Sequence, residues 1–310
     1  MGGATDGMVA ISPEKTLEEI ARAIPEDCRR NVVVIGSLAV GYHYLRGQSA
    51  MLVRTKDADC LLSPRIEAVQ AGVLVTERLI EDNWQFREDE KWPEPGSADT
   101  PLEELPAVRL RPPGGSEWFL ELLTVPPSAS HRGKNWMRLA TRYGHFGLCS
   151  FGFLSLTNYK PIKTDLGIGI ARPEMMALAN LLEHSEISPD TMSGLFASRE
   201  IKRSNKDLGR VLAIAQLATG ADEDALLSWA DSWLAGLQSQ FPQDWTELAG
   251  GVGRGLEALL ASEPDLEEAR LTCELGLLAF NPPTAEMLQA AGQRLIVDAI
   301  EPLVKAVEKR

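Results

Sequence analysis

Cysteine is scarce, and its four copies, Cys28, Cys60, Cys149 and Cys273, are scattered without a paired spacing. That argues against a disulfide framework or a zinc site and for reduced thiols in a cytoplasm. Histidine is as sparse: His43, His131, His145 and His184 lie far apart with no metal-ligand spacing, so each reads as a packing or surface residue. No apolar run approaches the roughly eighteen residues a membrane span needs. Met1 to Ile11 lacks the basic-then-apolar order of a signal peptide and reads as a loose tail. Bases are outnumbered, 31 Lys and Arg against 44 Asp and Glu, for a net charge of −13, which disfavours nonspecific binding to a polyanion. The excess is uneven. Residues 222–310 hold sixteen acids against six bases, whereas Arg132 to Lys163 holds six Lys and Arg and no acid. Beside an acidic metal site such a basic segment is what a triphosphate or an RNA end needs; as a solvated helix face it needs no ligand.

What is present is ordinary in bulk: 310 residues, 44% hydrophobic and 24% charged, enough for one large domain or two moderate ones. Ser12-Pro13-Glu14 reads as a helix start, with Leu17, Ile20, Ala21 and Ile24 as its apolar face. Ser63-Pro64 opens a second helix, and Trp84-Gln85-Phe86 a strand. The acidic, Pro-rich stretch from Glu88 to Pro106 reads as a loop, either a lid or partner contact or a variable insertion. Ala107 to Arg111 and Glu117 to Leu123 flank the turn sequence Pro112-Pro113-Gly114-Gly115 and read as a hairpin. Asn135 to Tyr143 reads as a short helix and Phe146 to Lys160 as a pair of strands. From Ala171 onward the texture is helical, over Pro173 to Leu182, Pro189 to Ser198, Lys206 to Thr219, Glu223 to Leu237, Trp245 to Leu260, Leu266 to Ala279 and Thr284 to Val307. The glycine run Gly250 to Gly255 falls inside one of these and reads as a flexible helix junction, since no strand precedes it and no Lys-Ser follows. Strands with helices first and helices alone afterwards predict an α+β fold: a tail over 1–11, a mixed-sheet domain over 12–170 and a helical domain over 171–310.

The chemistry concentrates at Val32-Val33-Val34-Ile35-Gly36-Ser37, followed by Asp57-Ala58-Asp59 on a second apolar run. A β-branched run closing on Gly-Ser reads as a buried strand ending at a helix N-terminus, where free backbone N–H groups and the helix dipole form a phosphate cradle. Residues two apart on a strand share a face, so Asp57 and Asp59 would converge on one spot, as a divalent metal site requires. Glu121 lies inside the otherwise apolar Trp118-Phe119-Leu120-Glu121-Leu122-Leu123. A carboxylate there has to be paired, with Arg109 for example, or bound to metal.

Gly36-Ser37 on a turn with Asp57-x-Asp59 on the next strand resembles the nucleotidyltransferase superfamily related to DNA polymerase beta. The wording Gly36-Ser37-Leu38-Ala39, Tyr42-His43, then Arg54-Thr55-Lys56-Asp57-Ala58-Asp59 is most similar to the abortive-infection nucleotidyltransferases, the AbiEii toxin family. The resemblance implies a nucleotidyltransferase catalytic domain over 12–170 and two Mg²⁺ ions held by Asp57, Asp59 and Glu121. It also implies β and γ phosphates on Gly36 and Ser37, and transfer of a nucleoside monophosphate from an NTP to a hydroxyl. In that branch the acceptor is an RNA end or a protein, and the partner an antitoxin, in a cytoplasmic setting with no membrane. Two helical motifs extend the likeness with departures. Pro173-Glu174 matches a helix start whose Lys position is Asn180 here, and Lys206-Asp207 matches a nucleotide-binding motif whose final Asp is Arg210. Arg203, Lys206 or Lys134 would then supply the missing positive charge. An aminoglycoside-type small-molecule transferase and a catalytically silent nucleotide-fold binding module are the competing readings.

Overall fold

The computed structural model describes residues 8–48, 50–87, 93–128, 131, 133–192, 196 and 199–308. The chain is α+β, with a mixed sheet and a helical C-terminal region. Strand β1 (Val9–Ile11) leads to α1 (Pro13–Ala23), whose Ser12 cap accepts from the Lys15 amide with Pro13 in the first turn. A short α2 (Glu26–Arg29) precedes β2 (Val32–Val34), α3 (Gly36–Leu45), β3 (Val53–Thr55) and β4 (Asp57–Leu62). Next come α4 (Arg65–Glu81), β5 (Gln85–Phe86) and the hairpin of β6 (Arg109–Arg111) and β7 (Phe119–Thr124). The sheet segment finishes with β8 (Asn135–Thr141), β9 (Gly144–Ser150), α5 (Leu154–Thr157), β10 (Ile162–Lys163) and β11 (Gly169–Ile170).

The large sheet runs β10-β11-β2-β4-β7-β6-β5, with β9 also on β7 and β8 on β9. β2 is antiparallel to β4, β4 parallel to β7 and β7 antiparallel to β6. Val32, Val33 and Val34 are all buried, as an interior strand requires. On β4 the alternation separates Asp57, Asp59 and Leu61 from Ala58, Cys60 and Leu62. A Cβ added at Gly72 of α4 would lie 3.2 Å from Leu62 Cδ1, so α4 packs on the face opposite the two aspartates.

After Ile170 the described residues form helices and isolated bridges: α6 (Pro173–Glu183), α7 (Arg203–Ala221), α8 (Trp229–Gln240), α9 (Trp245–Gly251) and α10 (Arg254–Leu260). α11 (Glu263–Glu274) and α12 (Ala285–Leu295) follow, and a π-helical turn over Ile296–Ile300 joins α12 to α13 (Glu301–Glu308). One hydrophobic core runs through both segments, from Val32 and Leu61 of the sheet to Leu212, Trp233 and Leu256 of the helices. Trp233 is fully buried and its indole N–H donates to the Glu174 carbonyl at 2.8 Å, tying α8 to α6.

Several expectations need correction. Val9–Ile11 is no tail: it pairs antiparallel with β3, while residues 1–7 lie outside the described set. Asn135 to Thr141 is a strand, because β9 offers it an antiparallel partner over its whole length and the Thr141 hydroxyl and Gly144, at φ +125°, close the turn. Within Phe146 to Lys160 only the stretch to Ser150 is a strand; the rest is turns and α5. Between Pro189 and Ser198 the described residues include extended bridges, Thr191 to Lys202 and Phe196 to Arg199, where a helix was expected; 193–195, 197 and 198 lie outside the described set. Glu223 to Leu237 begins with a 3₁₀ turn, Ala225–Ser228, ahead of α8. The glycine run does interrupt its helix, with Gly253 left-handed at φ +95° between α9 and α10.

Gly255 is a close-approach glycine, since an added Cβ would stand 2.0 Å from the backbone oxygen of His184. Gly255→Ala therefore forces α10 away from the end of α6. A loss of about 1–3 kcal/mol in denaturant unfolding is the expected result; unchanged stability would show that this junction yields freely.

Candidate functional site

Four elements meet at the start of β4. Ile35, extended at φ −124° and ψ −175°, donates its N–H to the Asp59 carbonyl at 2.9 Å, which fastens the end of β2 to β4. The chain then turns through Gly36 at φ +72° into α3. A Cβ at Gly36 would lie 3.0 Å from Asp59 Oδ2, so this position needs glycine for both conformation and space. No side chain caps α3, and Gly36, at the positive end of its dipole, stands beside the Asp59 carboxylate.

Register does the rest. Asp59 stands directly opposite Glu121 across β4 and β7, and Glu121 directly opposite Arg109 across β7 and β6, so Asp59, Glu121 and Arg109 form one row. Arg109 Nε donates to Glu121 Oε2 at 2.9 Å and Nη2 to Oε1 at 3.3 Å. Sequence left Glu121 between a metal ligand and a partner of Arg109, and the ion pair is in place. The Asp57 carboxylate lies 3.2 Å from the Thr55 hydroxyl. The Asp59 carboxylate makes no hydrogen bond or ion pair among the described residues. Burial first, then Asp57 and Glu121, push its carboxyl well above the ordinary range, against the opposing charges of Arg210 and Lys206. Glu121 is also raised, by burial, with Arg109 working the other way.

The opposing charges come from α7. Gly209 lets α7 press on α11, with only 2.9 Å to Ala269 O from a notional Cβ. Lys206 and Arg210, one turn apart, reach the cleft. Between them Asp207 accepts from His184 Nε2 at 2.9 Å and lies 3.6 Å from Arg210 Nη1. Burial alone would raise the Asp207 carboxyl, but His184, Lys206 and Arg210 outweigh it and hold it well below the usual range. Burial lowers the Lys206 ammonium, with Asp207 and Asp57 opposing the shift.

The resulting cleft has a cavity volume of about 70 Å³ and brings Ser37 and Asp57 together with Arg54, Lys56, Lys206 and Arg210, beside an apolar end at Met192, Phe196 and Leu277. Of the residues the sequence singled out, Ser37, Asp57 and Lys206 line it, and Gly36 and Asp59 adjoin it through their mutual contact. Asp207 supports it through Lys206 and Arg210. Lys134 stands elsewhere: Asn135 pairs with Ser150 and Cys149 with Leu123, which puts Lys134 toward the Thr124 end of β7, away from the Phe119 end beside Asp57. The other bases of that segment are also dispersed, Arg138 onto Thr100 and Ser97 carbonyls and Arg142 onto Glu77 and Glu81; Arg132 lies outside the described residues. Asn180 uses its carbonyl to accept from the His184 amide at 3.1 Å. Arg54, Lys56 and Arg210 were not foreseen as site residues; adjacency to Asp57 was the signal for the first two. A second groove, about 570 Å³, shares Lys56 with this cleft and is lined by Arg87, Arg111 and Phe119.

Among the described residues no group of three His, Cys, Asp or Glu side chains is placed to hold a metal ion by itself. Mg²⁺ uses one or two carboxylates together with substrate phosphates, and the unpartnered Asp59 beside Asp57 fits that donor set. No helix among the described residues is long and apolar enough to cross a membrane. Comparison of the chain with protein-family models, with curated proteins and with solved structures returned no match.

Asp59 carries a stability consequence. Its folded pKa lies above the unfolded value, so the folded state binds that proton more tightly. The resulting penalty is absent below about pH 4, the unfolded carboxyl range, and grows as pH rises through the folded pKa. Asp59→Asn in metal-free buffer should stabilise the protein by about 1–2 kcal/mol at pH 7.5, with the gain vanishing near pH 4. A variant less stable than the parent at pH 7.5 would contradict the electrostatic picture.

Proposed function

We propose that this chain is a Mg²⁺-dependent nucleotidyltransferase that moves a nucleoside monophosphate from an NTP to a hydroxyl acceptor, releasing pyrophosphate. The observation that carries the reading is the meeting, in one cleft, of Asp57, Ser37 at an uncapped helix N-terminus and four cationic side chains, Arg54, Lys56, Lys206 and Arg210, with Asp59 and Gly36 adjoining. Carboxylates alone repel a triphosphate and cations alone bind it without chemistry; side by side they suit phosphoryl transfer, in which positioning and charge stabilisation do most of the work.

In this reading Gly36 and Ser37 receive the terminal phosphates, and Lys206 and Arg210 neutralise the charge that develops on pyrophosphate. Arg210 thus compensates for Asn180, the position where the family resemblance expects a lysine. When bound, Mg²⁺ supplies charge neutralisation on the triphosphate, with Asp57 and Asp59 as its protein ligands. The acceptor oxygen forms a bond to the α-phosphorus as the bond to pyrophosphate breaks. Pyrophosphate takes the electron pair, and the hydroxyl proton passes to water. The groove beyond Lys56, with Arg87 and Arg111, gives an acceptor a route to the same phosphorus. The likeness to abortive-infection toxins makes an RNA end or a protein hydroxyl the acceptor classes to try first, and an antitoxin the partner.

Incubation with each α-labelled NTP, Mg²⁺, total tRNA and cell lysate tests the reading. Label should pass to an acceptor with the parent protein and not with Asp57→Ala/Asp59→Ala, and Lys206→Ala should slow transfer roughly 10²–10³-fold. Mg²⁺-dependent NTP binding without transfer would favour a silent nucleotide-binding module, and absence of both would overturn the site.

A further inference from the structure

The row Asp59, Glu121, Arg109 divides the carboxylates into two unlike parts. Asp57 and Asp59 border the cleft, and Asp59 has no partner among the described residues. Glu121 already spends both carboxylate oxygens on one guanidinium, at 2.9 and 3.3 Å, in a fork geometry that fixes both planes. The pair is set by the sheet itself, since Arg109 and Glu121 are direct cross-strand partners. Arg109 lies over the ring of the buried Phe119, 5.8 Å from its centroid, and the Arg87 guanidinium lies over the same ring at 4.2 Å. Arg87 also acts electrostatically on Glu121. A divalent ion entering at Glu121 would have to displace a bidentate guanidinium and sit beside two cations, whereas an ion at Asp57 and Asp59 gains the same carboxylate attraction without breaking an ion pair.

We infer that the cluster takes one divalent cation, held by Asp57 and Asp59, and that Glu121 is a positioning residue whose task is to hold the Arg109 guanidinium where a second ion would otherwise stand. The inference rests on the nucleotidyltransferase reading and departs from the two-ion site that the family resemblance implies. Arg109 then supplies a fixed positive charge on the Phe119 side, toward the groove from which an acceptor approaches. A guanidinium keeps its charge at every working pH and cannot be removed by a chelator, so the two halves of the site respond differently to metal depletion.

Counting bound ions decides the matter. Mn²⁺ is the probe, read by electron paramagnetic resonance and by calorimetry, with the full chain saturated in a non-hydrolysable ATP analogue. One Mn²⁺ per chain is expected. Glu121→Gln should leave both the count and the affinity within about threefold, while Asp59→Asn should weaken binding at least tenfold. Arg109→Met, checked for folding by circular dichroism, should raise the count to two by releasing Glu121. Two ions in the parent with one lost in Glu121→Gln would overturn the inference, and transfer activity persisting in that case would leave the proposed function standing. No Mn²⁺ bound to the parent, with or without the analogue, would overturn the inference and the proposed function together.

Discussion

Three carboxyl groups crowded at the head of a parallel strand pair are the constraint around which the rest is arranged. Asp57, Asp59 and Glu121 share a face by strand geometry and register, and burial makes each unit of their mutual repulsion more costly than it would be in water. The fold answers from every side. Arg109 and Arg87 bear on Glu121, Lys206 and Arg210 on Asp59, and the N-terminus of α3, uncapped by any side chain, stands beside Asp59. What stays unbalanced is Asp59. Under the proposed function, a bound cation answers that charge.

That arrangement ties the two segments of the chain together. The sheet provides the carboxylates and the glycine turn, but the cations Lys206 and Arg210 belong to a helix placed by contacts far downstream in sequence. Gly209 sets how near α7 comes to α11, and Cys273 Sγ lies 3.1 Å from the Gly209 carbonyl. His184, at the end of α6 and under Gly255, anchors Asp207 and through it the spacing of the two cations. Packing in the helical region thus bears directly on the electrostatics of the sheet, and the cleft exists only where the two meet.

Much of this was legible in local patterns. The Val32–Val34 strand, the Gly-Ser turn into a helix, the Asp-x-Asp strand and the hairpin carrying Glu121 each announce themselves within a dozen residues. Legibility stopped where pairing or packing at long range decides. Asn135 to Thr141 has side chains compatible with a helix until β9 claims its backbone, and Val9–Ile11 is a strand only because β3 lies alongside. Lys134 looked equivalent to Lys206 as a supplier of charge, but strand register carries it to the wrong end of β7. Arg210 looked like a loss against a family pattern, whereas helical spacing from Lys206 puts it in the cleft.

The most direct test is a crystal structure of the full chain with Mn²⁺ and a non-hydrolysable nucleoside triphosphate, with anomalous scattering used to place the metal. The account predicts metal density between Asp57 and Asp59 and the phosphate chain running from there to Gly36-Ser37, within reach of Lys206 and Arg210. A triphosphate bound in another cavity, or metal away from both aspartates, would contradict it.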